Sequence, residues 1–129
     1  MKRKKRSKYK NTKIITSEGV FDSQLEYDYY VYLKMRERIG EISNIRRQVV
    51  FELIPRQTES VIYTTKRGIQ KTKEVFKEHP VRYKADFVYT ENGIEIIADT
   101  KGFKTKDYII KRKLMRYQGH PITEVHRKS

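Results

Sequence analysis

Residues 81–102, VRYKADFVYTENGIEIIADTKG, decide how the chain folds. Two runs rich in β-branched and aromatic residues flank Asn92-Gly93, a pair favoured in two-residue type I′ turns because both turn positions take positive φ. If that pair forms the loop, Glu91 faces Ile94 and the partners step symmetrically outward from the turn. Asp86 then stands opposite Asp99, and Lys84 opposite Lys101. Directly opposed side chains share a sheet face with Cβ atoms about 4.5–5.5 Å apart, so two carboxylates are held close together within one hairpin. The period of two puts Glu95, Ile97, Asp99 and Lys101 on one face of the second strand. It turns Ile94, Ile96 and Ala98, with Ala85, Phe87 and Tyr89, to the core.

Like charges placed opposite each other destabilise a hairpin, so something is expected to neutralise Asp86 and Asp99. Two readings fit. In one, the neighbouring lysines make the face an ordinary charge-laced surface. In the other, the acids hold a hard divalent cation, since Mg²⁺ favours one or two carboxylates with several waters retained. Lys101 would then stand beside the ion, able to orient water or help remove its proton.

Upstream, FDSQLEYDYYVYLKMRERIGE (21–41) reads as a helix. Leu25, Tyr29, Tyr32, Leu33 and Met35 lie near one face, Asp22 or Ser23 caps the start and Gly40 ends it. RRQVVFELIP follows as a strand with Val49, Phe51 and Leu53 on one face, closed by Pro55. Residues 56–80 are polar and basic, with two β-like patches around KRG, and suggest an extended or hairpin insertion. Downstream, YIIKRKLMRY carries Tyr108, Ile109, Leu114, Met115 and Tyr117 at roughly helical spacing and ends at Gly119 and Pro121. The short strand ITEVH closes an α/β (α+β) chain in the order αβββαβ.

The chain of 129 residues fits one small domain, expected over 14–129 after a basic tail at 1–13. Thirty Lys and Arg against sixteen Asp and Glu give a net charge of +14, which attracts polyanions, nucleic acid before a membrane surface. Residues 1–13 hold eight Lys and Arg and no acid, leaving +6 for the rest. Such a block reads either as a disordered phosphate-binding arm or as a solvated tail. No apolar run is long enough for a membrane span, and the basic start has no apolar segment of the kind a secretory signal needs, so a cytoplasmic protein without a membrane partner is expected. The absence of cysteine removes disulfides, thiolate nucleophiles and cysteine-ligated zinc. His79, His120 and His126 are scattered without metal-ligand spacing.

A glutamate on the first helix, then Asp86, then DTK on the next strand and a basic helix resembles the PD-(D/E)XK nuclease superfamily, which includes restriction endonucleases and archaeal-type Holliday-junction resolvases. The segments FDSQLEYDYYVYLK, YKADFVYTENG and ADTKGFKTKDYIIKRKLM are similar to small phage and prophage proteins of uncharacterised function assigned to that superfamily. The likeness runs over roughly residues 14–127. It implies a restriction-endonuclease-like core, a central mixed sheet flanked by helices. It further implies that Asp86 and Asp99 are metal ligands, with the Thr100 carbonyl as a third, that Lys101 is the catalytic lysine, and that Glu26 reaches the metal directly or through water. Ser23-x-x-Glu26 is also a capping box, whose glutamate folds back on the helix start. Ala85 stands where the superfamily motif has proline.

The implied activity is Mg²⁺-dependent hydrolysis of DNA phosphodiesters, with Mn²⁺ able to substitute, on branched or double-stranded DNA in phage recombination or replication. Symmetric cutting of a junction implies a homodimer. The DNA backbone would be held by Lys2, Arg3, Lys4, Lys5 and Arg6 of the tail, by Arg46 and Arg47, by the segment 66–73, and by Lys84, Lys104 and Lys111. These cations carry no base-reading code, so recognition by shape suits them. A solvated helix face accounts for Lys111 equally well. The other class of function is a basic nucleic-acid-binding module with a nuclease-like fold and no turnover, but such a module gains nothing from paired acids beside phosphates.

Overall fold

The structure, a computed structural model, describes residues 12–127; the basic-tail expectation for residues 1–11, including Lys2, Arg3, Lys4, Lys5 and Arg6, lies outside the described residues. The elements are β1 (Ile14–Thr16), β2 (Gly19–Phe21), α1 (Gln24–Arg38), β3 (Ser43–Ile54), β4 (Gln57–Thr64), β5 (Gln70–Glu78), β6 (Val81–Glu91), β7 (Ile94–Thr100), α2 (Lys106–Tyr117) and β8 (Ile122–Val125). With the pairs β1–β2 and β4–β5 set aside, the order is αβββαβ. The chain is mixed α+β, with a four-stranded sheet in the order β3-β6-β7-β8. β3, β6 and β7 run antiparallel, and β8 lies parallel to β7 after the crossover through α2.

The turn sets the register. Asn92 and Gly93 both take positive φ, 51° and 74°, and the pairs run from Glu91↔Ile94 back to Phe87↔Ala98. Both helices begin and end as their sequences dictate. The Ser23 and Thr105 hydroxyls accept the Glu26 and Tyr108 amides as N-caps. At the other ends Gly40 and Gly119 take φ of 83° and 87°, which lets the Gly40 and Glu41 amides, and those of Gly119 and His120, turn back to the last carbonyls of each helix.

The sheet is covered on both faces. Phe87, Tyr89 and Ala98 pack with Phe21 and with Tyr30 and Leu33 of α1, while Val88 and Ile97 pack on the opposite face with Tyr108 and Met115 of α2. Each large side chain so buried contributes about 2 kcal/mol. Several sequence expectations are corrected here. Tyr83 and Ala85 belong to the α2 cluster and Phe87 and Tyr89 to the α1 cluster, so alternation along β6 breaks at Asp86. Ile94, Tyr32 and Met35 are exposed, and Tyr117 is 90% exposed at the end of α2. Leu33 is buried as expected, and the rest of the buried face of α1 is Glu26 and Tyr30. The β1–β2 hairpin was not expected. No helix among the described residues is long and apolar enough to cross a membrane.

Candidate active site

A cleft of about 730 Å³ opens where the first turns of α1 and α2 meet the C-terminal end of β7. Asp22 and the N-cap Ser23 come from the entry to α1, Glu26 from its first turn, Gln48 from β3, Tyr83, Lys84 and Asp86 from β6, Asp99 and Thr100 from β7, and Lys101 and Thr105 from the turn into α2. Both helix N-caps line it, so the positive ends of two helix dipoles face the same space. That favours an anionic ligand.

Of the sequence-predicted residues, Glu26, Lys84, Asp86, Asp99, Thr100 and Lys101 are brought together. The β6–β7 ladder ends at Phe87↔Ala98, one pair short of Asp86 and Asp99, and there side chains take over from backbone pairing. Asp86 Oδ2 accepts the Thr100 amide at 3.0 Å and the Thr100 hydroxyl at 2.8 Å. The Asp86 and Asp99 carboxyls are themselves within hydrogen-bonding reach of each other. Asp99, 3% exposed, accepts the Tyr83 hydroxyl at 2.7 Å and pairs with Lys101 Nζ at 2.7 Å. Lys101 Nζ also lies 3.8 Å from the centre of the Tyr108 ring, which fixes the ammonium by a cation–π contact.

Glu26 is 1% exposed and folds back on the start of its helix. Its amide bonds the Ser23 hydroxyl, while its Oε2 accepts the Asp22 amide at 2.6 Å, one residue earlier than a capping box would place it. Its Oε1 points to Gln48 Nε2 at 2.9 Å, and Arg47 is 3.9 Å away. Burial, then the charge of Asp86, pushes the Glu26 carboxyl up to about 7 despite the opposing hydrogen bond from Asp22. Burial, then the hydrogen bond and charge of Asp99, pushes Asp86 up to about 7 against the two Thr100 donors. Burial and Asp99 likewise raise Tyr83, which stays a neutral donor.

The remaining cations are placed elsewhere. Arg47 lies over the Phe21 ring at 3.7 Å and donates to the Val20 carbonyl at 2.8 Å, tying the β1–β2 hairpin to the sheet. Arg46 pairs with Glu95 at 3.2 Å, Lys104 with Glu124 at 3.1 Å, and Lys111 with Asp107 at 4.0 Å. Thr100 meets Asp86 through its amide and hydroxyl, not through the carbonyl expected as a ligand. Among the described residues, no group of three His, Cys, Asp or Glu side chains is placed to hold a metal by itself.

Sequence reasoning missed Gln48, Tyr83 and Arg127. Gln48 holds φ at +54° in the middle of β3, and its amide reaches toward both Glu26 and Asp86, the latter at 3.5 Å. A glutamine in a β-rich run looks like an ordinary surface position, so nothing in the sequence marks it. Strict alternation puts Tyr83 on the core face with Phe87, away from Asp99; it reaches Asp99 because the alternation of β6 breaks at Asp86, which nothing in the sequence marks. Arg127 lines the cleft from beyond β8.

Comparison with curated proteins and with solved structures gave no match. A family model does match, over residues 6–128, and the chain belongs to that family, described as Protein of unknown function (DUF1064).

Proposed function

We propose that the protein is a divalent-metal-dependent endonuclease of PD-(D/E)XK type, hydrolysing DNA phosphodiesters in branched or junction DNA during phage recombination or replication. One observation carries the reading: Glu26, Asp86 and Asp99 converge with Lys101 on one cleft, two of the acids pushed up to about 7 by burial and mutual charge. A chain selected for stability alone would not bury such a cluster. Among the described residues, no lysine or arginine pairs with Asp86, so its charge awaits a proton or a cation.

The donor set fits a hard cation. Asp86 and Asp99, with the Thr100 carbonyl, would hold Mg²⁺ or Mn²⁺ with waters completing its shell, and Glu26 would reach it through one of those waters. When bound, such an ion supplies Lewis-acid polarisation of a phosphoryl oxygen. The chain supplies the rest. Lys101, held by Asp99 and the Tyr108 ring, donates to a phosphate oxygen or orients the attacking water. Glu26, titrating near neutrality, is matched to accept the proton that water loses. Attack at phosphorus then breaks one P–O bond, leaving a phosphomonoester and a hydroxyl end.

The Lys101–Asp99 pair favours the other reading, a nucleic-acid-binding module without turnover, because it neutralises one acid with no metal. A cleavage panel of four-way, forked, linear and single-stranded DNA in Mg²⁺ or Mn²⁺ separates the two. Asp99→Asn and Lys101→Ala should each lose cleavage by at least about 100-fold while retaining binding. Wild-type protein inert on every substrate with both metals would overturn the nuclease reading.

A further inference from the structure

The β4–β5 ribbon stands apart from the catalytic cleft. Its register pairs Val61 with Lys73 and Tyr63 with Lys71, so Val61, Tyr63, Lys71 and Lys73 share one face. Nearly every ribbon residue is exposed, and the pair forms its own sheet, separate from the four-stranded one. Charge is sorted along it. Glu59 pairs with Lys77 at 3.1 Å near the base, and Glu74, on the opposite face, is taken up by the Thr58 and Ser60 hydroxyls. From residue 60 to 73 there is no acid, and Lys66, Arg67, Lys71 and Lys73 form no ion pair among the described residues.

We propose that this ribbon is an arm that grips double-helical nucleic acid, setting the Tyr63, Lys71 and Lys73 face and the Lys66–Arg67 tip against a groove and its phosphates. It deepens the nuclease reading by naming the duplex as the form bound, and rests on that reading only for what binding is used for. Eight paired residues span about 27 Å, most of a turn of duplex, and a two-stranded ribbon fits the width of a major groove. Four unpaired cations commit the surface to a polyanion. A single strand fits poorly, because the basic face offers one aromatic, Tyr63, and Lys73 covers its ring at 5.1 Å. Single-strand binding needs successive stacking platforms. The ribbon leaves the sheet at Ile54↔Val81, and β6 carries both this exit and, five residues on, Asp86.

The test is binding of the full chain, in EDTA, to a duplex and to a single strand of equal length, across a range of salt. Lys71→Gln/Lys73→Gln should fold normally, bind duplex about tenfold more weakly, flatten the salt slope by about 1.8, and leave single-strand binding unchanged. Duplex affinity and slope equal to wild type, or an equal loss on both substrates, would overturn the proposal. Wild type that never cleaves yet binds duplex through these lysines defeats the nuclease reading alone. Cleavage with ribbon-independent binding defeats this one alone.

Discussion

Thr100 donates both its amide and its hydroxyl to one oxygen of Asp86. The residue after the acid of β7 thereby holds the acid of β6, and the site is locked at the point where the backbone ladder ends. Both donors favour the ionised carboxyl, although burial and Asp99 outweigh them. Thr100→Val keeps the shape and removes the hydroxyl. It should cost about 1–2 kcal/mol at a pH of about 8, where Asp86 is charged, and less at about 5. Chemical denaturation at the two pH values checks this, and equal losses would show that the hydroxyl does not serve the carboxylate.

Glu26 and Asp86 titrate near 7 in the folded chain and at ordinary carboxylate values when unfolded. The folded state therefore holds more protons between about pH 4 and 7, and stability should fall as pH rises through that window. Glu26 accounts for up to about 3 kcal/mol and Asp86 for up to about 4, and the pair for less than the sum because their charges interact. Thermal unfolding from acidic to mildly alkaline pH should show Tm declining, with Glu26→Gln and Asp86→Asn each flattening the profile. A Tm that climbs across the window in wild type would contradict the assignment.

Added Mg²⁺ should reverse that decline. An ion that binds the ionised acids of the folded chain competes with protons, so it should raise Tm at about pH 8 and much less at about pH 5.5. EDTA should return the protein to its metal-free profile. Asp86→Asn/Asp99→Asn should show no Mg²⁺ shift at either pH, and a shift that survives this change would place the ion elsewhere.

The register was legible because Asn-Gly is one of few sequence signals that fix backbone dihedrals, and one turn places every pair from Glu91↔Ile94 to Phe87↔Ala98. The caps at Ser23 and Gly40 were legible for the same local reason. The helix face was not. YDYYVY offers an aromatic at almost every phase, so periodicity could not tell buried Tyr30 from exposed Tyr32. Three-residue strands such as β1 and β2 are shorter than any pattern that could announce them. Of the site, the register brings the chain to Phe87↔Ala98, next to Asp86 and Asp99, where pairing stops and the alternation of β6 breaks, whereas Gln48 depends on a left-handed backbone that no glutamine advertises.

That backbone makes Gln48 a test of strain used for placement. At φ +54° a side chain with a Cβ costs about 1 kcal/mol, yet the amide is brought within reach of Glu26 and Asp86. Gln48→Gly should relieve the strain, and Gln48→Ala should keep it, so the glycine variant should be the more stable of the two by about 1 kcal/mol. Both should raise the titration point of Glu26, which loses its 2.9 Å donor. Side-chain carboxyl NMR across pH reads that shift, and an unmoved Glu26 would make the amide a bystander.

Gly93 separates backbone demand from packing. It takes φ of 74°, and a Cβ built there meets nothing within 4 Å, so any loss in Gly93→Ala comes from the dihedral alone. The expected cost is about 1 kcal/mol. Gly102, on the loop beyond β7, also has open space around a Cβ but no such φ, so Gly102→Ala should be near neutral or slightly stabilising. Since the turn sets which residues oppose each other, the Gly93 variant should also weaken Mg²⁺-dependent stabilisation, the readout of Asp86 and Asp99 alignment. Equal unfolding midpoints for the two alanine variants would mean that Asn92-Gly93 does not govern the hairpin.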